Sequence, residues 1–281
     1  MPSLSGSEGG VALPGGNGIL HGAYTRAAHR FDVLAEDWLI MRALILRSLR
    51  VRHTGNPLGI FVEIFRPLAI CTAHYFYFSL MQRDVPGYQY AIFTVGGFSV
   101  WFTFQAANRA TEGAKYPAGS HNIPGITRMH LRVAGALWAF ILYLFFAYAV
   151  VYPLQLLGQP VKAPELGLSL IDYGLAASLG FGYGLVCAAI GEVVSALKPV
   201  IKLLEWAVFI SSGVYDSLLT IPVPVAKYIQ YNPLIDLAEY QRHAYYAGYP
   251  IFMVTLTYPA IWAAGLVFSG LAINRALNRR R

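Results

Sequence analysis

Charged side chains are scarce in this chain of 281 residues, because only 12% are Asp, Glu, Lys or Arg while 56% are hydrophobic. A typical soluble domain has about 25% charged residues, so too few remain here to cover a water-exposed surface of this size. The mean hydropathy of +0.49 agrees with this reading. The composition therefore predicts a protein that is solvated largely by the lipid bilayer.

Three further absences exclude other classes. The chain has two cysteines, Cys71 and Cys187, and both lie in apolar segments, so no disulfide framework is expected. No G-x-x-x-x-G-K-[ST] loop occurs, since the segment 113–115 (Gly-Ala-Lys) lacks the spacing that cradles phosphates, so the chain is not expected to bind ATP. Its Lys and Arg residues separate apolar runs instead of mixing with exposed aromatics, which argues against nucleic acid as a partner.

Long apolar runs are present instead. A helix needs about 20 predominantly apolar residues to cross the hydrocarbon core, and six stretches qualify. They are Leu58 to Leu80, Tyr90 to Ala110, Val133 to Leu157, Leu168 to Leu197, Val200 to Ile221 and Tyr249 to Ala272. The sequence thus predicts an all-α membrane protein with six transmembrane helices per protomer.

The orientation of these spans follows from their flanking charges, because cytoplasmic loops retain Lys and Arg. With the N-terminus inside, sixteen Lys and Arg residues fall on the cytoplasmic side and four on the other side. Both termini are therefore predicted to be cytoplasmic, including the basic end at residues 276–281. The membrane-spanning domain is predicted over residues 54–275.

The region before the first span divides into two parts. Residues 1–35 include a Gly-rich stretch without a basic start or an uninterrupted apolar core, which predicts a disordered cytoplasmic tail rather than a signal peptide. Residues 36–53 predict an amphipathic helix on the inner leaflet. Its apolar stripe includes Trp38 and Ile45, and Arg42, Arg47 and Arg50 lie on the opposite arc.

The connection between spans five and six is unusual. From Val214 to Gly248 it alternates short apolar pieces with Pro222, Pro224 and Pro233, and none of the pieces is long enough to span. Such segments are more often re-entrant or interfacial helices than exposed loops. The sequence predicts a shallow helical cap at the outer end.

Polar and aromatic residues within the spans allow two interpretations. Glu63 and Arg66 lie about one turn apart in the first span, where they either pair with each other or line a polar route. Many aromatic residues lie near the outer ends of spans, as either an interfacial anchoring belt or a stacking surface for sugar rings. His74 is expected to be a satisfied buried histidine, and no metal site is expected.

Two other segments have structural alternatives. The small residues between Gly180 and Gly184 superficially resemble a dinucleotide loop, but inside an apolar span they predict close helix packing. The loop from Thr111 to Arg132 has two prolines and mixed polarity, and it is either a compact elbow that docks on another protein or a long plain connector.

With these parts in order, residues 36–272 resemble the permeases of type-2 ABC transporters, and most closely the capsular-polysaccharide exporter branch. Four motifs carry the resemblance: the stretch from Arg47 to Gly59, residues 212–215 (Ser-Gly-Val-Tyr), residues 231–234 (Tyr-Asn-Pro-Leu) and residues 239–242 (Glu-Tyr-Gln-Arg). The Asn-Pro pair followed by Glu and Arg after a broken outer cap is the most specific of them.

The resemblance implies a homodimer that binds two copies of a separate ABC ATPase subunit and moves a lipid-linked or lipid-capped polysaccharide across the bacterial inner membrane. ATP and Mg would be bound in that partner, with no cofactor in this chain, and periplasmic and outer-membrane export components would be further partners. The chain itself would not be an enzyme. Its N-terminal interfacial helix would be a gate helix, with re-entrant helices between spans five and six.

The resemblance also assigns residues to roles. The coupling helix, seated on the ATPase, would include Glu112, Lys115, Tyr116, Pro117, Ile123 and Pro124. The gate helix would use Trp38, Arg42, Ile45, Arg47 and Arg50. The translocation path would include Glu63, Arg66, Tyr77, Tyr88, Tyr90, Trp101 and Tyr215, and the outer cap would be held by Asn232, Pro233, Glu239 and Arg242.

Other functions remain open from the sequence. A related permease could move O-antigen, a teichoic-acid-like polymer or a drug. An ion-coupled carrier would need midplane acids and an inverted repeat, and neither is evident. An integral-membrane transferase would need a polar cluster at one interface, and Asp236, Glu239 and His243 are the nearest candidates.

Overall fold

The computed structural model describes residues 38–46, 58–81, 90–112, 127–158, 161, 162, 165–251 and 253–279. The chain divides into a short unit, Met1–Ile40, of which only residues 38–40 are described, and a second unit, Met41–Arg281. All the helices that begin after residue 46 belong to the second unit.

All the regular elements in the described ranges are helical. Residues 38–46 form α1. The others are α2 (Leu58–Leu80), α3 (Tyr90–Thr111), α4 (Arg128–Leu156), α5 (Leu166–Val193), a 3-10 turn (Ser195–Leu197), α6 (Lys198–Ile210), α7 (Val223–Ile229), α8 (Pro233–Tyr245) and α9 (Thr257–Asn278). The predicted all-α class is confirmed for this part of the chain.

Helix α3 lies at the centre of the bundle. It packs against α2, α4, α5 and α8, while α5 packs against α9 on its other side. Every residue from Ile92 to Phe104 is buried, including the hydroxyl-bearing Ser99 and Thr103. These two hydroxyls donate to backbone carbonyls one turn earlier, which satisfies them within the helix.

The close packing around α5 depends on its glycines. A Cβ on Gly180 would collide with the backbone carbonyl of Phe104 on α3, and one on Gly182 would lie 2.6 Å from the backbone nitrogen of Val267 on α9. Gly184 has a similar contact with Asn108. The predicted helix-packing role of this small-residue segment is confirmed, because only glycine permits these backbone approaches.

Three helices, α4, α5 and α9, are both long enough and apolar enough to cross a membrane. Helices α2 and α3 have 23 and 22 residues, which is also a spanning length. The six-span count therefore remains a prediction.

The predicted fifth span is wrong in its extent, because α6 ends at Ile210 instead of continuing to Ile221. The hydroxyls of Ser211 and Ser212 donate to the carbonyls of Ala207 (2.8 Å) and Phe209 (2.6 Å), and Gly213 then adopts a φ of 71°. This left-handed residue turns the chain out of the helix. At 13 residues, α6 is about 20 Å long, too short to cross the roughly 30 Å hydrocarbon core alone.

The predicted sixth span begins too early. Helix α9 starts at Thr257, because the described residues between Tyr249 and Thr257 (250, 251 and 253–256) are irregular and are held by side chains of α8. His243 Nδ1 lies 2.7 Å from the Tyr249 carbonyl, and the backbone N–H of Thr255 donates to Asp236. Two short helices, α7 and α8, do precede it, while their predicted re-entrant position in a bilayer stays a prediction.

Candidate functional site

The predicted coupling and gate residues fall mainly outside the described residues. Of the coupling set, Glu112 is described, as an exposed residue just after α3, while Lys115, Tyr116, Pro117, Ile123 and Pro124 lie outside. In the gate helix, Trp38 and Arg42 are exposed on α1 and Ile45 is half-buried, and Arg47 and Arg50 lie outside. Both roles remain predictions.

The described members of the predicted path do not share one surface. Arg66 and Tyr77 are exposed on α2, whereas Trp101 is only 5% exposed. Among the described residues Arg66 is not ion-paired with Glu63, so of the two interpretations the mutual pair is not formed, and the polar route stays a prediction. Tyr88 lies outside the described residues, and Tyr90 begins α3.

The other aromatic member of the predicted path, Tyr215, belongs to an aromatic cluster at the end of α6. Its ring lies 5.8 Å from that of Phe98 and 5.4 Å from that of Phe209, which in turn lies 4.8 Å from the Trp101 ring. The Tyr215 hydroxyl is 3.4 Å from His74 Nε2. These rings pack on one another as core, and the cluster joins α2, α3 and α6.

The predicted cap residues form the best-defined polar constellation. Asn232 accepts a hydrogen bond from the Leu234 N–H (3.0 Å) and so caps α8, and Pro233 occupies the first turn of that helix. The amide of Asn232 also donates to Val208 O and Ser211 Oγ, both at 2.8 Å. The side chain of Asn232 thus hydrogen-bonds both the C-terminal end of α6 and the N-terminal end of α8.

At the centre of the cap lies a buried ion pair between Glu239 and Arg242, one turn apart on α8. Arg242 Nη1 donates to Glu239 Oε1 at 2.8 Å, and the two side chains are 3% or less exposed. Removing two charges from water is costly unless their other hydrogen-bonding groups are satisfied. Here they are, because both residues have several more partners.

Arg242 connects α8 to α3 and to the turn after α6. Its guanidinium donates to the carbonyls of Gly213 and, at 3.4 Å, of Asp216, and its Nε donates to the Phe93 carbonyl at 3.5 Å. A Cβ on Gly97 would lie 2.9 Å from Arg242 Nη2, so this glycine makes room for the guanidinium.

Glu239 holds the other half of the cap. Its Oε2 accepts hydrogen bonds from Ser217 Oγ (2.9 Å) and from the Tyr249 hydroxyl (2.8 Å), and Oε1 lies 3.4 Å from the Leu218 N–H. The carboxylate therefore fastens the chain before α7 and the chain after α8 to the same helix. The Glu239–Arg242 network therefore holds the cap in one conformation, and the polar groups within it are occupied by hydrogen bonds to one another.

Two acidic residues outside the candidate spans have perturbed pKa values. Burial raises the pKa of Asp236 to about 7, the hydrogen bond from the Thr255 N–H opposes this shift, and the nearby Glu239 adds to it. In contrast, the half-buried Lys162 lowers the pKa of the exposed Glu165 through a 2.6 Å hydrogen-bonded ion pair.

A second buried polar network joins α3, α5 and α8. The Tyr173 hydroxyl donates to Ser99 Oγ at 2.6 Å and lies 3.2 Å from the Tyr245 hydroxyl, and Gln241 Nε2 donates to Ser169 Oγ at 3.3 Å. Asp172, on the same helix as Tyr173, is 0% exposed, and neither carboxylate oxygen has a hydrogen-bond partner among the described residues.

Sequence reasoning missed this second network. Asp172 was detectable, because an acidic residue inside an otherwise apolar span is unusual and calls for a partner. Ser169 and Gln241 offered no such signal, since their importance comes only from the residues that lie beside them. Within the described ranges, no group of three or more His, Cys, Asp or Glu side chains could hold a metal ion.

The fold and the cap together define an α-helical membrane protein whose polar interior is organised for structure, with no constellation of reactive groups in the described part. No protein-family model matches the chain. Two curated relatives, both polysialic acid transport proteins KpsM of Escherichia coli, are each 25% identical to it over 239 residues, which is 84% of this chain and 92% of the relative. The chain is a homologue of these transport proteins, and its resemblance to the permeases of type-2 ABC transporters is confirmed.

Proposed function

We propose that this chain is the membrane-spanning permease subunit of an ATP-driven exporter that moves a lipid-linked or lipid-capped polysaccharide across the bacterial inner membrane. The similarity to polysialic acid transport proteins over nearly their whole length carries the proposal. Two of the cap residues quoted for the family resemblance, Glu239 and Arg242, form a buried ion pair, and a third, Asn232, hydrogen-bonds the end of α6 to the start of α8.

In this proposal the chain hydrolyses nothing itself. Two protomers bind two copies of an ABC ATPase, which holds ATP and Mg, and the loop from Thr111 to Gly125 docks on the ATPase as the coupling helix. Closure of the ATPase pair then shifts the rigid helices and opens a passage between the protomers. Both termini face the cytoplasm, and export components of the periplasm and outer membrane receive the polymer.

The N-terminal interfacial helix, with Trp38 and Arg42 exposed, acts as the gate. Re-entrant placement of α7 and α8 forms the outer cap, which Glu239 and Arg242 hold in one shape. Neutral aromatic faces such as Tyr77 offer a glycan sliding contacts without a single deep binding site.

Deletion of the gene in its native host tests the function. Surface polysaccharide should disappear, glycan should accumulate inside the cell, and the intact gene should restore export. Normal surface polysaccharide in the deletion strain would contradict the proposal.

The coupling assignment has a separate test. Substitution of Tyr116 or Ile123 should weaken copurification with the ATPase and reduce export, whereas Lys227→Gln, on the exposed face of α7, should change neither. Intact assembly and export in both loop variants would remove the coupling role and leave the export function standing.

A further inference from the structure

A cleft between α2, α3 and α4 contains two arginines. It is a small cleft with a volume of about 60 Å³, open on one side, and its lining includes Arg66, Ile70, Phe102, Gln105, Arg109 and Tyr143. Arg109 is two residues from the end of α3, and Arg66 lies about 12 Å along α2 from Leu58 at 1.5 Å per residue. The cleft therefore lies nearer to the end of the bundle where α2 begins and α3 ends.

The arginines make this cleft electropositive. No acidic side chain is among its described lining residues. Neither Arg66 nor Arg109 forms a hydrogen bond or ion pair through its side chain with another described residue, in contrast to the fully paired Arg242. Two guanidinium groups facing one cleft repel each other, so an anion held between them removes an electrostatic cost.

The rest of the lining selects among anions. The Gln105 amide can donate a further hydrogen bond, and Ile70 and Phe102 give the inner wall an apolar surface. A guanidinium binds phosphate oxygens through paired N–H donors, with a geometry that an ammonium group does not offer. An anion with an apolar body attached fits both halves of the lining better than a free inorganic ion.

From this geometry we propose that Arg66 and Arg109 form a binding site for the phosphodiester headgroup of an anionic lipid, with the lipid chains lying along the apolar wall. This inference deepens the proposed function and rests on it in one respect: the lipid bound during export is the one that caps the polysaccharide. The site holds the lipid end of the substrate beside α2 and α3 before the glycan enters the passage.

Native mass spectrometry of the full-length, detergent-purified protein tests the site. The probes are dioleoyl-phosphatidylglycerol, with one net negative charge, dioleoyl-phosphatidylcholine, whose own cation neutralises its phosphate, and inorganic phosphate as a competitor. The wild type should retain phosphatidylglycerol preferentially, and inorganic phosphate should compete weakly. Arg66→Gln and Arg109→Gln should each lower its affinity by about tenfold, the loss of one charge-assisted interaction.

Conservative and control variants separate a site from general surface charge. Arg66→Lys keeps the charge but loses the planar fork, so its affinity should fall between those of the wild type and Arg66→Gln. Arg275→Gln removes an exposed arginine from the last turn of α9 and should change nothing. Thermal unfolding of each variant checks that a loss of binding is not a loss of folding.

Several outcomes would overturn the site. Equal retention of the two lipids by the wild type, or an equal loss in Arg275→Gln, would leave only nonspecific attraction. Full competition by inorganic phosphate at the concentration of the lipid would assign the cleft to a free anion instead.

Different experimental results would contradict the proposed lipid site and the proposed export function. If the deletion strain loses surface polysaccharide but Arg66→Gln and Arg109→Gln bind lipid and export normally, the site is wrong and the function stands. If the variants lose lipid binding while the deletion strain still exports, the binding site stands and the function is wrong. Lipid binding that depends on both arginines without any effect on export would assign the site to a bilayer lipid and overturn the substrate role.

Discussion

The guanidinium of Arg242 on α8 lies over the ring of Phe93 on α3, with its central carbon 3.6 Å from the ring centroid. This stacking places a charge that is 0% exposed against the face of an aromatic ring, which attracts cations, while the edges of the guanidinium donate hydrogen bonds. This contact is one of those that hold α8 against α3.

Replacement of Arg242 by Ala should destabilise the protein by about 3–5 kcal/mol, because Glu239 would be left as a buried charge without its cation. Thermal unfolding of the detergent-purified protein measures this loss. The pair of Lys162 and Glu165 is far more exposed, has the same spacing of three residues and serves as the control, so Lys162→Ala should have little effect. Similar losses in the two variants would show that burial is not the cause.

The same chemical change should have opposite consequences at two buried carboxylates. Asp172→Asn should leave stability at neutral pH unchanged or raise it, because this carboxylate has no partner in the described structure to lose. Glu239→Gln should lower stability by about 3–5 kcal/mol, since it leaves Arg242 unpaired. A loss in Asp172→Asn as large as that in Glu239→Gln, measured by thermal unfolding, would show that Asp172 is ionised and compensated.

A Gly→Ala substitution should have different effects on stability at two positions of α5. Gly180→Ala should cost about 1–3 kcal/mol, because its Cβ meets the Phe104 backbone. Gly174→Ala, in the same helix, meets nothing within 4 Å and should be neutral or stabilising by up to about 1 kcal/mol through helix propensity. Equal effects of the two changes on the unfolding midpoint would contradict the packing role of Gly180.

Stability should fall as pH rises through the titration of Asp236. Its pKa is raised from 3.8 to about 7 in the folded state, so its contribution is fully present below the unfolded value and is lost between about pH 4 and pH 7. Asp236→Asn should flatten this part of the pH profile while keeping an acceptor for the Thr255 N–H. An unfolding midpoint with the same pH dependence in both proteins would rule out Asp236 as its source.

Several features of this protein were predictable because they depend on local sequence alone. Apolar runs of spanning length predicted α2 and α3 to within one residue at each end, since a bilayer or core demands continuous helices. The prolines and polar residues after Val214 predicted a broken helical cap, and small residues from Gly180 to Gly184 predicted close packing. These features can be predicted from local sequence without knowing which residues are in contact in the fold.

The ends of the fifth and sixth spans were mispredicted, because hydropathy does not register what ends a helix. Residues 211–221 and 249–256 are apolar enough to continue a span. In the fold, the φ of Gly213 and the hydrogen bonds that α8 makes to Tyr249 and Thr255 hold these segments in irregular conformations. Such constraints come from residues far away in the chain.

The sequence by itself determined that the protein is a helical membrane protein, because composition and apolar run length depend on no contact. Its short motifs, and not its hydropathy, carried the resemblance to the permeases of type-2 ABC transporters. Only the tertiary structure decided which polar residues have partners. It surrounded Arg242 with carbonyls and a carboxylate, left Asp172 without a described partner, and brought Arg66 and Arg109 to one cleft. Pairing is a property of distances between helices, and these are set by side-chain packing across the whole bundle.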